Sequence, residues 1–81
     1  MRSTRYFEEQ VLRKRAYLRR EWCELTVAEP EYTDTQPNGR VRYWRRIDAL
    51  EGRWLRVVTL EDGTTIHNAF PDRGFKLPTE L

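Results

Sequence analysis

His67 is the only histidine in the 81-residue chain, and thirteen of its fifteen basic residues are arginine. Those two side chains divide one kind of chemistry between them. Imidazole has an ordinary pKa of about 6.5, so it exchanges a proton near neutral pH. Guanidinium never gives up its proton and presents a planar fork of donors that matches phosphate oxygens. Metal-free cleavage of an RNA backbone needs a base for the 2′-hydroxyl proton, a proton for the leaving 5′-oxygen, and cations around the pentavalent phosphorus. By residue type and their place in the alternating second half of the chain, His67, Arg56, Arg46 and Arg42 are the catalytic candidates, with Tyr43 in support. Arg45, Trp44, Trp54, Arg73 and Asn68 are candidates for holding a substrate, because aromatic rings stack on unpaired bases and arginine grips the backbone.

The same residues have plainer uses. A strand histidine bonds a neighbouring backbone or carboxylate group, strand arginines form ion pairs, and large rings fill a core. One histidine and one cysteine offer no metal-ligand spacing, so no metal and no cofactor are expected. Cys23 cannot form an internal disulfide and sits in an apolar helical stripe, where a small buried side chain is expected.

Net charge is only +2, but it is unevenly spread. Residues 1–28 carry seven bases against four acids, and residues 40–56 carry six arginines against two acids. Two basic segments on so small a chain can meet on one face. The start, MRSTRYFEEQ, lacks the apolar run of a secretion signal, and no stretch has membrane-spanning length. A cytoplasmic protein without a membrane partner is the expectation.

Periodicity divides residues 1–81, read as a single domain, into two regimes. Phe7, Val11 and Leu12 share one side of a helix predicted over 4–15, with Ser3 or Thr4 as its cap. Leu18, Trp22 and Leu25 recur at helical spacing and predict a second helix over 18–28, stopped by Pro30. Alternation then takes over and predicts strands over 31–36, 40–48, 53–61 and 64–70, with a tail over 71–81. Asn38-Gly39 and Asp62-Gly63 are turn signals. The order predicts an α+β fold, two N-terminal helices packed on a four-stranded antiparallel meander sheet. A tight turn at Asp62-Gly63 would pair Val58 with His67 and Arg56 with Ala69, placing His67 and Arg56 on one face. In the tail, PDRGF is expected to turn Phe75 back onto the core, with Asp72 and Arg73 pairing locally.

In its arrangement of YFEEQVLRKRAYLRREWCELTVAEPE, NGRVRYWRRI, RWLRVVTLEDGTTIHNAF and PDRGF, the chain resembles the RelE/BrnT-like group of small bacterial toxins. That resemblance implies a toxin of a type II toxin–antitoxin system, a metal-independent endoribonuclease that cleaves RNA. It also implies a cognate antitoxin protein covering the active face as a hetero-oligomer. His67, Arg56, Arg42, Arg45 and Arg46 match residue types the group employs. With Lys14 and Lys76 as its only lysines, the chain does not reproduce the lysine-rich sites of ribosome-dependent members. The alternative is a non-catalytic module that binds nucleic acid or protein through the same basic and aromatic sheet face.

Overall fold

A computed structural model describes residues 1–78. Thr4 opens the first helical segment. Its Oγ1 accepts the Phe7 N–H at 3.1 Å and its carbonyl accepts the Glu8 N–H at 3.1 Å, which satisfies donors a helix start leaves unpaired. A π turn, Phe7–Val11, runs into a short α-helix, α1, Leu12–Lys14. The junction is marked by Leu12 N–H reaching back five residues to the Phe7 carbonyl. The wide turn keeps Phe7 and Val11, four apart, on one buried side.

The second helix, α2, covers Arg20–Ala28. Leu18 is buried ahead of it, but the buried stripe is Cys23 and Thr26, with Trp22 and Val27 partly covered. Leu25, expected inside, is 37% exposed. The helix starts two residues later than its periodicity suggested, and its apolar stripe is turned by one position. Thr26 is tolerated because its hydroxyl donates to the Trp22 carbonyl at 2.8 Å.

Strands β1 (Tyr32–Thr35), β2 (Val41–Ile47), β3 (Arg53–Thr59) and β4 (Ile66–Pro71) form one antiparallel sheet in sequence order. Together with the two short helices this makes an α+β fold. Side chains alternate across the sheet. On the inner face, Leu55, Val57, Ile47, Ile66 and Ala69 cluster with Phe7, Val11, Leu18 and Cys23 from the helical half. The outer face carries cross-strand rows, Asp34–Arg42–Val58–Asn68 and Tyr32–Trp44–Arg56–Phe70, followed by the pair Arg46–Trp54.

The β3–β4 connection is wider than a two-residue hairpin. Asp62 Oδ1 accepts the backbone N–H groups of Thr64 and Thr65 at 3.0 and 2.9 Å, and its other oxygen accepts the Thr65 hydroxyl. These bonds hold the Asp62 carboxyl at a pKa of about 2. They also occupy residues 64 and 65 in the turn, so β3 ends at Thr59 and β4 begins at Ile66.

A bulge then shifts the register. Thr59 pairs with Ile66, but Val58 pairs with Asn68, which leaves His67 as the extra residue. The expected pairs Val58–His67 and Arg56–Ala69 are replaced by Val58–Asn68 and Arg56–Phe70. The physical reason is burial. Ile66 and Ala69 are both fully buried, and residues three apart reach one face of a strand only if an extra residue intervenes. The backbone at the bulge is completed by the N-terminal segment, where Ile66 N–H donates to the Arg2 carbonyl and Thr4 N–H donates to the Ile66 carbonyl, both at 2.9 Å. Ser3 thereby forms a parallel bridge with Ile66.

Candidate functional site

The bulge and the N-terminal bridge together build a cleft on the outer face. His67 lines it beside Arg40, Arg42 and Arg56, with Tyr6, Phe70 and the amides of Asn38 and Asn68 around them. Its volume is about 330 Å³, near the small end of the range for ligand pockets. Because His67 is the extra residue, it and its neighbour Asn68 line the same cleft, which strict alternation would forbid.

His67 is held from two sides. Its Nδ1 shares a 3.0 Å hydrogen bond with Thr4 Oγ1, and its ring lies against Tyr6 with centroids 5.0 Å apart. In the tautomer whose Nδ1–H donates to Thr4, Nε2 keeps its lone pair for a proton. Burial, and secondarily the Arg40 charge, pull the imidazole pKa below its ordinary value. At neutral pH the ring is therefore neutral, the state a general base requires.

The cations differ in how they are engaged. Arg42 is clamped by Asp34 through two bonds, Nε to Oδ1 at 2.7 Å and Nη2 to Oδ2 at 2.6 Å, which raises its pKa further. Arg56 lies over the Phe70 ring at 4.2 Å, while its nearest carboxylate oxygen, Asp72 Oδ2, is 3.8 Å from Nε. That Nε is buried without a hydrogen-bond partner. Arg40 makes no ion pair among the described residues. Two amides add donors, because Asn38 Oδ1 accepts the Arg40 N–H and Asn68 Oδ1 accepts the Ala69 N–H. Their NH₂ groups are left over. The lining is thus rich in donors, and its complement is a ligand rich in acceptor oxygens.

Several candidates from the sequence fall elsewhere. Tyr43 is on the inner face, buried, with its hydroxyl donating to the Gly63 carbonyl at 2.7 Å. Arg45 shares that face and donates to the Glu29 carbonyl at the end of α2 at 2.6 Å. Trp44 is on the outer face but only 4% exposed, covered by Phe75 in a stack with centroids 4.6 Å apart. Trp54 meets Phe75 edge-on at 4.8 Å and carries Arg46 over its ring. Arg46 also binds Glu31, lowering that carboxyl's pKa. Phe75 returns to the outer face, not to the inner core, and Asp72 pairs with Trp44 Nε1 at 3.0 Å and with Arg56 in place of Arg73. Arg73 lines a separate cleft.

Thr4, Tyr6 and Arg40 were not singled out by residue type. Thr4 and Tyr6 read as helix start, and only the bridge to Ile66 brings them to His67. The one legible signal was Ile66-x-x-Ala69, a spacing incompatible with an unbulged strand. Among the described residues no group of three or more His, Cys, Asp or Glu side chains is arranged to hold a metal ion. No helix among them is long and apolar enough to cross a membrane. Comparison with protein families, with curated proteins and with solved structures found no match.

Proposed function

We propose that the protein is a metal-independent endoribonuclease of the RelE/BrnT-like toxin type, acting on RNA in the cytoplasm and held in check by an antitoxin protein. The observation that carries this reading is the His67 imidazole, held by Thr4, in a donor-lined cleft with Arg40, Arg42 and Arg56. The helix–helix–meander order supports the fold assignment. In the proposed reaction His67 Nε2 takes the proton of the 2′-hydroxyl. The 2′-oxygen bonds to phosphorus, and the phosphorus–5′-oxygen bond breaks. The 5′-oxygen takes a proton from water and the resulting hydroxide takes the proton from His67, leaving a 2′,3′-cyclic phosphate, a 5′-hydroxyl and the neutral imidazole. The guanidiniums offset the charge that builds on the phosphorus oxygens.

The test is cleavage of RNA by purified protein with chelator present, with end-group analysis of the products. His67→Ala is expected to lower the rate by about 10²- to 10⁴-fold, the usual worth of a general base. Expression of the wild type is expected to arrest growth, and His67→Ala to relieve the arrest. Equal cleavage by folded wild type and His67→Ala refutes the assignment.

One observation favours the non-catalytic alternative. Arg42 and Arg46 are each bonded to a carboxylate, which is how arginines serve a fold without a substrate. RNA binding that weakens with salt, without any cleavage, would identify a binding module.

A further inference from the structure

A second cleft adjoins the first. Phe70 lines both, and the second, of about 470 Å³, is otherwise lined by Tyr17, Arg53, Pro71 and Arg73. Arg53 and Arg73 are exposed and make no ion pair among the described residues, in contrast to Arg42 and Arg46 on the outer face. Tyr17 is 53% exposed. An exposed ring alone has no particular meaning. Here it shares a cavity with two uncompensated cations, next to a cleft that already favours phosphate. The rings expected to stack on bases are already engaged, Trp44 by Phe75 and Trp54 by Phe75 and Arg46, and Phe70 carries Arg56 over its ring. Tyr6 in the first cleft lies against His67, whereas Tyr17 in the second is exposed and makes no ring contact among the described residues.

We propose that the second cleft is a flanking-nucleotide subsite for single-stranded RNA. The strand passes over Phe70, its backbone phosphate meets Arg53 and Arg73, and its base stacks on Tyr17. A cationic groove with stacking rings is how single strands are held without sequence readout. The proposal rests on the first cleft taking RNA, and it adds a minimum length and a direction of extension. A duplex, whose bases are already stacked, cannot use the ring.

The test is binding of dye-labelled 2′-O-methylated oligonucleotides, which lack the attacking hydroxyl, in lengths of two and six nucleotides. The wild type is expected to bind the hexamer more tightly than the dimer and to prefer it over the matching duplex. Tyr17→Ala should weaken hexamer binding by roughly 5- to 100-fold, the usual worth of one stacked base, and leave the dimer unaffected. Arg53→Ala with Arg73→Ala should reduce the slope of log affinity against log salt for the hexamer by about 0.7, the value for one phosphate contact on a single strand. Hexamer affinity unchanged in both folded variants overturns the subsite, as does equal loss of dimer and hexamer binding. Failure of the ribonuclease reading would look different, with length-dependent binding intact and no cleavage of unmodified RNA.

Discussion

Thr4 Oγ1 and His67 Nδ1 lie 3.0 Å apart although 63 positions separate them in the chain. The same hydroxyl oxygen caps the first helical segment through the Phe7 N–H. A helix cap and the orientation of the candidate base therefore depend on one atom. Thr4→Ser keeps the hydroxyl and should preserve both roles. Thr4→Val should cost about 1 kcal/mol of stability from the lost cap and let the imidazole sample both tautomers. Ring ¹⁵N chemical shifts of His67 report this directly, and identical shifts in wild type and Thr4→Val would mean that Thr4 does not orient the ring.

The lowered pKa of His67 has a definite sign in stability. Between its native value and the ordinary 6.5, the unfolded chain binds a proton that the native protein does not. Stability should therefore fall as pH drops below about 6.5 and level off once pH passes the native value. His67→Gln should lose this dependence. Arg40→Gln should narrow the window without closing it, because burial is the larger cause. Thermal unfolding from pH 7.5 to 5 in the three proteins checks both statements.

Arginines on the two faces should differ in salt dependence. Arg40, in the first cleft, should contribute to phosphate binding, and Arg40→Ala should reduce the salt slope for single-stranded RNA by about 0.7. Arg45, tied to the Glu29 carbonyl on the inner face, should leave the slope unchanged on replacement by alanine and lower stability instead. Fluorescence anisotropy across a salt series separates the two. A changed slope for Arg45→Ala would place RNA on the wrong side of the sheet.

Phe75 holds the tail on the outer face through Trp44, Trp54 and Tyr32. Phe75→Ala should expose Trp44 and shift tryptophan emission to the red. The lost aromatic pairing alone contributes about 0.5–1.5 kcal/mol per pair. An unshifted spectrum would show that the stack does not shield Trp44 in solution.

Cys23 is fully buried, and burial drives its thiol pKa up to about 12. A disulfide reagent at pH 8 should react with it only as fast as the protein opens, and at once in denaturant. Rapid labelling of the native protein would contradict the packing of α2.

Element order, strand identities and the burial of Cys23 could be read from the sequence because each rests on local periodicity or on a turn residue such as Gly39, which has a φ of +90°. Sequence places His67 with Arg56 only through pairings that the bulge replaces. Parity arguments count residues along a strand, and one extra residue at position 67 reverses every later side chain. The misplaced aromatics have a similar origin. Tyr43 and Trp44 are adjacent large rings, and nothing local reveals that Phe75, far along the chain, covers Trp44. Thr4 and Tyr6 were hidden for the opposite reason, since their local role as a helix start is real and sufficient in itself.

The bridge between Ser3 and Ile66 also governs when the candidate site can exist during synthesis. The first half of a nascent chain can form its capped helix, but it has neither the histidine nor the strand that brings it to Thr4. Contacts this remote in sequence are the slowest to close, because chain entropy must be spent before they form. The cleft therefore requires the two ends of the polypeptide to meet. A partly made or partly folded chain carries the arginines of β2 without His67 beside them, so the candidate site is incomplete until the N-terminal segment meets β4.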